Sequence, residues 1–278
     1  MACDTAFRVI ARRYLADLTA NHEATCQGSA TALHQTRLAL TRLRTAIAFF
    51  SPMVADPERT QLTTELKWLH SQLGVVRDLD VTIEYLRTSN KQALQLLPDD
   101  RLWTSRRKES HRHLARELRS ARYRRLIESL SDWIESGFWS TRKGKRAGRL
   151  RISPIAEYGA SKLAQWQEKL LKKSRKLQRM SVKKRHRLRL LNKKLCYSME
   201  FLENLHQDKL FSKQPLALKH LRKAQKTLGR LNDDADRRSL AATLEADGVQ
   251  ASLPFLGATK EKRLIRIAAE AYRKLTAL

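Results

Sequence analysis

Residues that break helices are few: 9 glycines and 6 prolines in 278 residues, gathered into short intervals between long stretches of Leu, Ala, Arg, Lys, Gln and Glu. No segment shows the period-2 alternation of a half-buried strand, so an all-α fold is expected. Cysteine is rarer still. Cys3, Cys26 and Cys196 are scattered, odd in number and without a CxxC pair, which excludes a disulfide scaffold and suits a reducing cytoplasm. No apolar run approaches the roughly 20 residues that span a bilayer, and the opening MACDTAFRVIARRY has no continuous apolar region. Neither a membrane span nor a secretion signal is therefore expected.

Motifs of catalysis are missing as well. GxSxG, GxxxxGK[ST], HExxH and an EF-hand loop are absent, and GKRAG at Gly144 lacks the Ser or Thr and the preceding strand of a P-loop. His111 and His113 stand two apart, a spacing that puts them on different helix faces, so a zinc pair there is not expected and neither stands out from a solvated helix. No catalytic residue, metal or cofactor is expected.

Positive charge, by contrast, is abundant. Lys and Arg number 56 against 28 Asp and Glu, an excess of 56 − 28 = +28. That is more than solubility requires and costly through self-repulsion, which points to an anionic partner without saying whether it is nucleic acid, an anionic membrane or a free polyanion.

Breakers near Gly28, Pro52 and Pro57, Pro98, Gly137 to Pro154, Ser181, Pro215, and Gly248 to Gly257 leave about eight helical segments. They are expected near 4–20, 30–50, 58–88, 100–136, 154–179, 182–209, 216–245 and 259–277. The order contains an internal repeat. HQTRLALTRLRTAIAFF from His34 aligns with HRLRLLNKKLCYSMEFL from His186: each has Arg three residues on, a cation eight on, Leu nine on and Phe fifteen on. About 40 residues later LGVVRDLD from Leu73 aligns with LGRLNDDA from Leu228. The offsets are 186 − 34 = 152 for the histidines and 229 − 74 = 155 for the glycines, so two distant markers recur in order at nearly one spacing. Two halves of four helices each follow, near 1–139 and 152–278, within one domain covering 1–278. The run TRKGKRAGRLR has six basic residues and no acid, and reads as a linker over 140–151.

Winding the first repeated segment at 3.6 residues per turn puts Arg37, Arg42 and Arg44 at roughly −60°, +80° and −80° from His34. Leu40, Leu43, Ala46, Ile47 and Phe50 take the other side, the period of a helix that faces a core. In the second half Arg189, Lys193, Lys194 and Tyr197 fall on the side of His186, with Leu188, Leu191, Leu195, Met199 and Leu202 opposite. Leu33 to Phe50 contains no acid. Arg supplies a planar fork for phosphate oxygens, Lys a mobile point charge, and His a donor whose charge depends on pH. From His34 to Arg44 these groups run about 15 Å along one face, a track for repeated phosphates rather than a point for one.

Other conspicuous residues read as structural. Arg77, Asp78 and Asp80 beside Gly74 suit ion pairs between helices, and the repeat keeps Asp233 but has Asn232 for Arg77 and Ala235 for Asp80. Trp68, Trp103, Trp133, Trp139 and Trp166 are dispersed on apolar faces and are expected in the core.

With these motifs in view, the chain resembles the CHAD domain family, the conserved histidine α-helical domain. LHQTRLALTRLRTAIAFF is similar to its first signature helix and KWLHSQLGVVRDLDV to the next. RYRRLIESLSDWI resembles the end of the first half, and HRLRLLNKKLCYSMEFLENL and LRKAQKTLGRLNDDA resemble the second-half counterparts. The resemblance implies two pseudo-symmetric four-helix bundles with a basic groove or pore between them, and non-catalytic binding of inorganic polyphosphate there. The matching residues are His34, Arg37, Arg42 and Arg44 in the first motif and His186, Arg189, Lys193 and Lys194 in the second. Thr41 and Cys196 depart from the pattern, standing where the family often has Arg. No ExExK signature of a fused triphosphate-tunnel domain is present, so a stand-alone binding module is implied, cytoplasmic and associated with polyphosphate granules. A sequence-nonspecific nucleic-acid binder is the competing reading of the same charge, with nucleic acid as a competitor for the site. A phosphohydrolase or phosphotransferase using His34 or His186 would need a base or metal that the sequence does not offer.

Overall fold

The structure, a computed structural model, describes residues 1–89, 100–141, 144–205, 214–246 and 255–277. Among them are eleven α-helices and no strand. In chain order they are α1 (Cys3–Ala20), α2 (His22–Cys26), α3 (Ala30–Phe49), α4 (Pro57–Ser89), α5 (Asp100–Arg119), α6 (Ala121–Ser136), α7 (Lys145–Ile152), α8 (Ile155–Ser174), α9 (Val182–Leu205), α10 (Gln214–Ala246) and α11 (Ala258–Thr276). The expected all-α class is the observed one. Contacts divide the chain into two compact units, Met1–Tyr158 and Gly159–Leu278, and each holds one copy of the repeated helix pair: α3 with α4, and α9 with α10.

In the first unit α3 packs on α1 and α4, and α4 packs on α5 and α6. Leu33, Leu40, Leu43, Ala46 and Phe50 are all but inaccessible to solvent, so the apolar side of α3 faces this core as its period requires. Aromatic rings close the far end. Phe7 meets Phe50, Trp133 and Trp139 edge-on, with centroids 5.6, 5.6 and 5.2 Å away. Buried Asp56 binds this end together: its carboxylate accepts from Arg59 N at 2.7 Å, Trp133 Nε1 at 2.9 Å and Trp139 N at 3.0 Å. Trp103, Trp133 and Trp139 are buried as expected. Trp68 and Trp166 are only partly covered. Arg122 lies 4.1 Å over the Trp68 ring while pairing with Glu65, so that indole is a platform for a surface cation.

The second unit packs α9 on α10 and α10 on α11. At its centre Asn192 is fully buried and fully used. Its Nδ2 donates to Leu221 O at 3.0 Å, and its Oδ1 accepts from Tyr272 Oη at 3.2 Å, so one polar residue registers α9, α10 and α11 against each other.

Three boundaries differ from the sequence reading. The segment expected over 100–136 is two helices, because Ser120 leaves helical geometry and caps α6, accepting from Tyr123 N at 3.2 Å. The segment expected over 154–179 stops at Ser174 and passes through a 3-10 turn at Leu177–Arg179. The stretch read as a linker over 140–151 carries α7. Its Arg, Leu and Ala residues favour helix despite Gly144 and Gly148, and it packs on α1, with Arg151 Nη1 donating to Trp139 O at 2.8 Å. The breaks expected at Pro98 and Gly248, and the reach of the sixth segment to 209, lie outside the described residues.

Candidate functional site

Each unit presents one face of its repeated helix. α3 begins behind Gly28, whose φ of 86° lies in the left-handed region open to glycine, and Ser29, whose side chain accepts from Ala32 N at 3.2 Å. That start sets the register in which His34 is exposed and Arg37, Arg42 and Arg44 are half-buried, all on the side away from Leu40 and Leu43. Arg42 stands with its guanidinium 5.9 Å from the centre of the Tyr14 ring. Burial pushes the Arg37 guanidinium below its ordinary value. The Asp78 charge opposes that shift and the Arg77 charge adds to it. Burial does the same to Arg44. Neither makes a hydrogen bond or ion pair to any described residue. Thr41, between them, spends its hydroxyl on Arg37 O at 2.8 Å.

On α9, His186 and Arg189 are half-buried, Lys193 is half-buried with its ammonium 5.6 Å from the Tyr197 ring, and Lys194 is exposed. Leu188, Leu195, Met199 and Leu202 are buried opposite, although Leu191 is only partly covered. Tyr197, grouped with the cations by its helical angle, is itself buried. His186 Nδ1 is hydrogen-bonded to Asn232 Oδ1, and Asn232 Nδ2 donates to Asp236 Oδ2 at 2.6 Å, so α10 holds the imidazole through a relay. The repeat counterpart of Asn232 is Arg77, whose side chain has no acceptor. Cys196 is the counterpart of Arg44 (196 − 152 = 44), but it faces the core rather than the cationic side, and burial pushes its thiol up to about 12. All eight residues read from the sequence are thus on two helix faces, four on α3 and four on α9.

The sequence reading missed three features. His111 is buried, not solvated: its Nε2 lies 3.0 and 3.2 Å from the two oxygens of Asp80, and Arg107 Nε donates to Asp80 Oδ1 at 2.7 Å. No spacing in the sequence links position 80 to position 111. In the second unit Asp234, one place before Ala235, takes the analogous role, accepting from Arg238 Nε at 2.9 Å and Leu256 N at 2.7 Å. The third is the glycine of each Leu-Gly pair, taken only as a marker of the repeat, which lies against an arginine: Gly74 by Arg37 and Gly229 by Arg189.

Among the described residues, His22, Glu23 and Cys26 bring ligand-type atoms within 4.8 Å of one another. They are already engaged. His22 Nε2 lies 3.0 Å from Leu118 O, and Glu23 Oε1 accepts from Gln27 at 3.1 Å and Arg119 at 3.3 Å, which ties α2 to α5.

Comparison with known proteins decides the family. The model of the CHAD domain matches residues 9–242. The chain belongs to the CHAD domain family. The crystal structure of the CHAD domain from the plant Ricinus communis is similar over 100% of this chain and 93% of that one, with 25% identity and a TM-score of 0.77. PptA from Streptomyces chartreusis shares the fold, with 14% identity and a TM-score of 0.56 over 100% of this chain and 96% of that one. No curated protein sequence matches. Among the described residues of this CHAD chain, no helix is long and apolar enough to cross a membrane.

Proposed function

We propose that this CHAD chain binds inorganic polyphosphate along the cationic faces of α3 and α9 and does not turn it over. One observation carries the reading. Several arginines elsewhere pair with carboxylates, as Arg12 does with Glu135, Arg122 with Glu65, Arg185 with Glu261 and Arg222 with Glu200. Arg37, Arg44 and Arg189 are half-buried in the repeated faces with no hydrogen-bonded or ion-paired partner among the described residues. A guanidinium withdrawn from water with its N–H groups unmatched is costly, and a phosphate oxygen offsets that cost. Family membership supports the ligand, since the CHAD family is associated with polyphosphate, and the spread of each face along its helix suits linked phosphates. The same ligand supports an association with polyphosphate granules as part of this reading.

Calorimetric titration with polyphosphate of defined length tests this. Arg37→Ala with Arg189→Ala is expected to lose most of the affinity, on the order of 1.5 to 3 kcal/mol per charged hydrogen-bonding group. The pair Arg146→Ala with Arg149→Ala removes equal charge from the exposed surface of α7 and is expected to change it far less. Equal losses from both pairs would mean that diffuse charge does the binding and would favour the nucleic-acid reading, as would RNA displacing polyphosphate at equal phosphate. Shortening of the chains on incubation with Mg²⁺ or Mn²⁺ would overturn the non-catalytic part.

A further inference from the structure

Gly74 and Gly229 sit inside α4 and α10, where glycine destabilises a helix relative to alanine. Neither takes up a backbone conformation that asks for glycine; among the described residues, Gly28 is the glycine with positive φ. What both provide is room. A Cβ on Gly74 would stand 3.2 Å from Arg37 Nη1, closer than a carbon ordinarily comes, and a Cβ on Gly229 would stand 3.9 Å from Arg189 Nε, in ordinary contact. These same two nitrogens are sealed from solvent without a hydrogen-bond partner among the described residues. Each unit therefore lays an arginine onto bare helix backbone at equivalent places, leaving one guanidinium nitrogen without a hydrogen bond to do so.

Resting on the polyphosphate reading, we infer that Gly74 is a positioning residue that sets how deep the phosphate-binding Arg37 guanidinium lies, and that the equivalent seat of Arg189 on Gly229 is too loose to depend on its glycine. Pressed on one side against α4, the Arg37 fork has few orientations left, so its remaining N–H groups meet a phosphate with little ordering left to do. Asp78, one turn on from Gly74, acts on the same guanidinium through its charge, and Asp233 has the same relation to Arg189. Their charge keeps the seated cation in place without taking its hydrogen bonds.

The test is a double-mutant cycle in the full chain, reading polyphosphate affinity and melting temperature together. Gly74→Ala is expected to weaken binding about tenfold, a coupling typical of residues in contact, while the melting temperature holds or rises because alanine favours helix. In an Arg37→Ala background the same change is expected to cost nothing further. Gly229→Ala is expected to stay within about twofold of wild type, because its Cβ meets Arg189 at an ordinary distance. Wild-type affinity in Gly74→Ala overturns the inference. So does an equal loss in both backgrounds, or a loss accompanied by a fall in melting temperature, since either makes the glycine a packing residue. A wild-type protein that does not bind polyphosphate overturns the functional reading itself, and this inference with it.

Discussion

Asp80 shows what one buried acid does in a chain so short of acids. Burial alone pushes its carboxyl up, but the hydrogen bonds and charges of His111 and Arg107 outweigh burial and hold it below the ordinary carboxylate range. A folded-state value below the unfolded one contributes stability that is fully present above the unfolded value, near 4, and is lost as pH falls through the lower folded value. Asp80→Asn is therefore expected to destabilise the protein at neutral pH by about 2 kcal/mol, the scale of a charged hydrogen bond left unmade. The gap from wild type is expected to close as pH falls below the carboxylate range. Thermal unfolding at a series of pH values checks this, and a gap that stays constant into acid would show that Asp80 acts by shape alone. The site itself is untouched by the change, so polyphosphate affinity at neutral pH is expected to stay at the wild-type value. The sequence pointed Asp80 to ion pairs between helices but did not reveal its partners, because they lie 27 and 31 positions away on another helix.

Among the elements, the division between α5 and α6 rests on one hydroxyl. Ser120 accepts from Tyr123 N and donates to Glu117 O at 2.6 Å, closing one helix and opening the next. The usual sequence sign of such a start, an acid or amide three residues past the cap, is replaced here by Tyr123, and the break was accordingly invisible in the pattern of apolar residues. Ser120→Ala is expected to cost about 1 kcal/mol and Ser120→Asp to recover most of it, read as a shift in urea midpoint at unchanged slope. An unaltered midpoint in Ser120→Ala would mean that packing of Tyr123 and Leu118 fixes the break without the cap. Ser29 does the same work for α3, and there the stakes include function, since the cap sets where the cationic face begins.

For the whole molecule, an excess charge of +28 makes the native state repel itself, and a bound polyanion relieves that repulsion. Polyphosphate is expected to raise the melting temperature in proportion to the logarithm of its concentration, by about 2.7 kcal/mol of added stability at a hundredfold excess over Kd. Orthophosphate at the same total phosphate is expected to do far less. Cations spread over about 15 Å of a helix gain from phosphates that are already linked. Affinity is accordingly expected to climb with chain length and then level off once the face is covered, and to fall steeply with salt. Equal protection by orthophosphate would contradict an extended face and favour isolated sites.

The helical class, the repeat and the eight cationic residues were all legible in the sequence, because each is a matter of period along one chain: apolar residues every three or four places, and a His, an Arg and further cations returning at an offset of 152. Local chemistry of this kind needs no knowledge of what lies opposite. Tertiary structure alone decided the rest. It turned Cys196 into the core, buried His111 against Asp80, and laid Arg37 on Gly74. In each case the deciding contact joins separate helices, and desolvation, which gives a charge its cost and its value, depends on that enclosure and not on the order of residues.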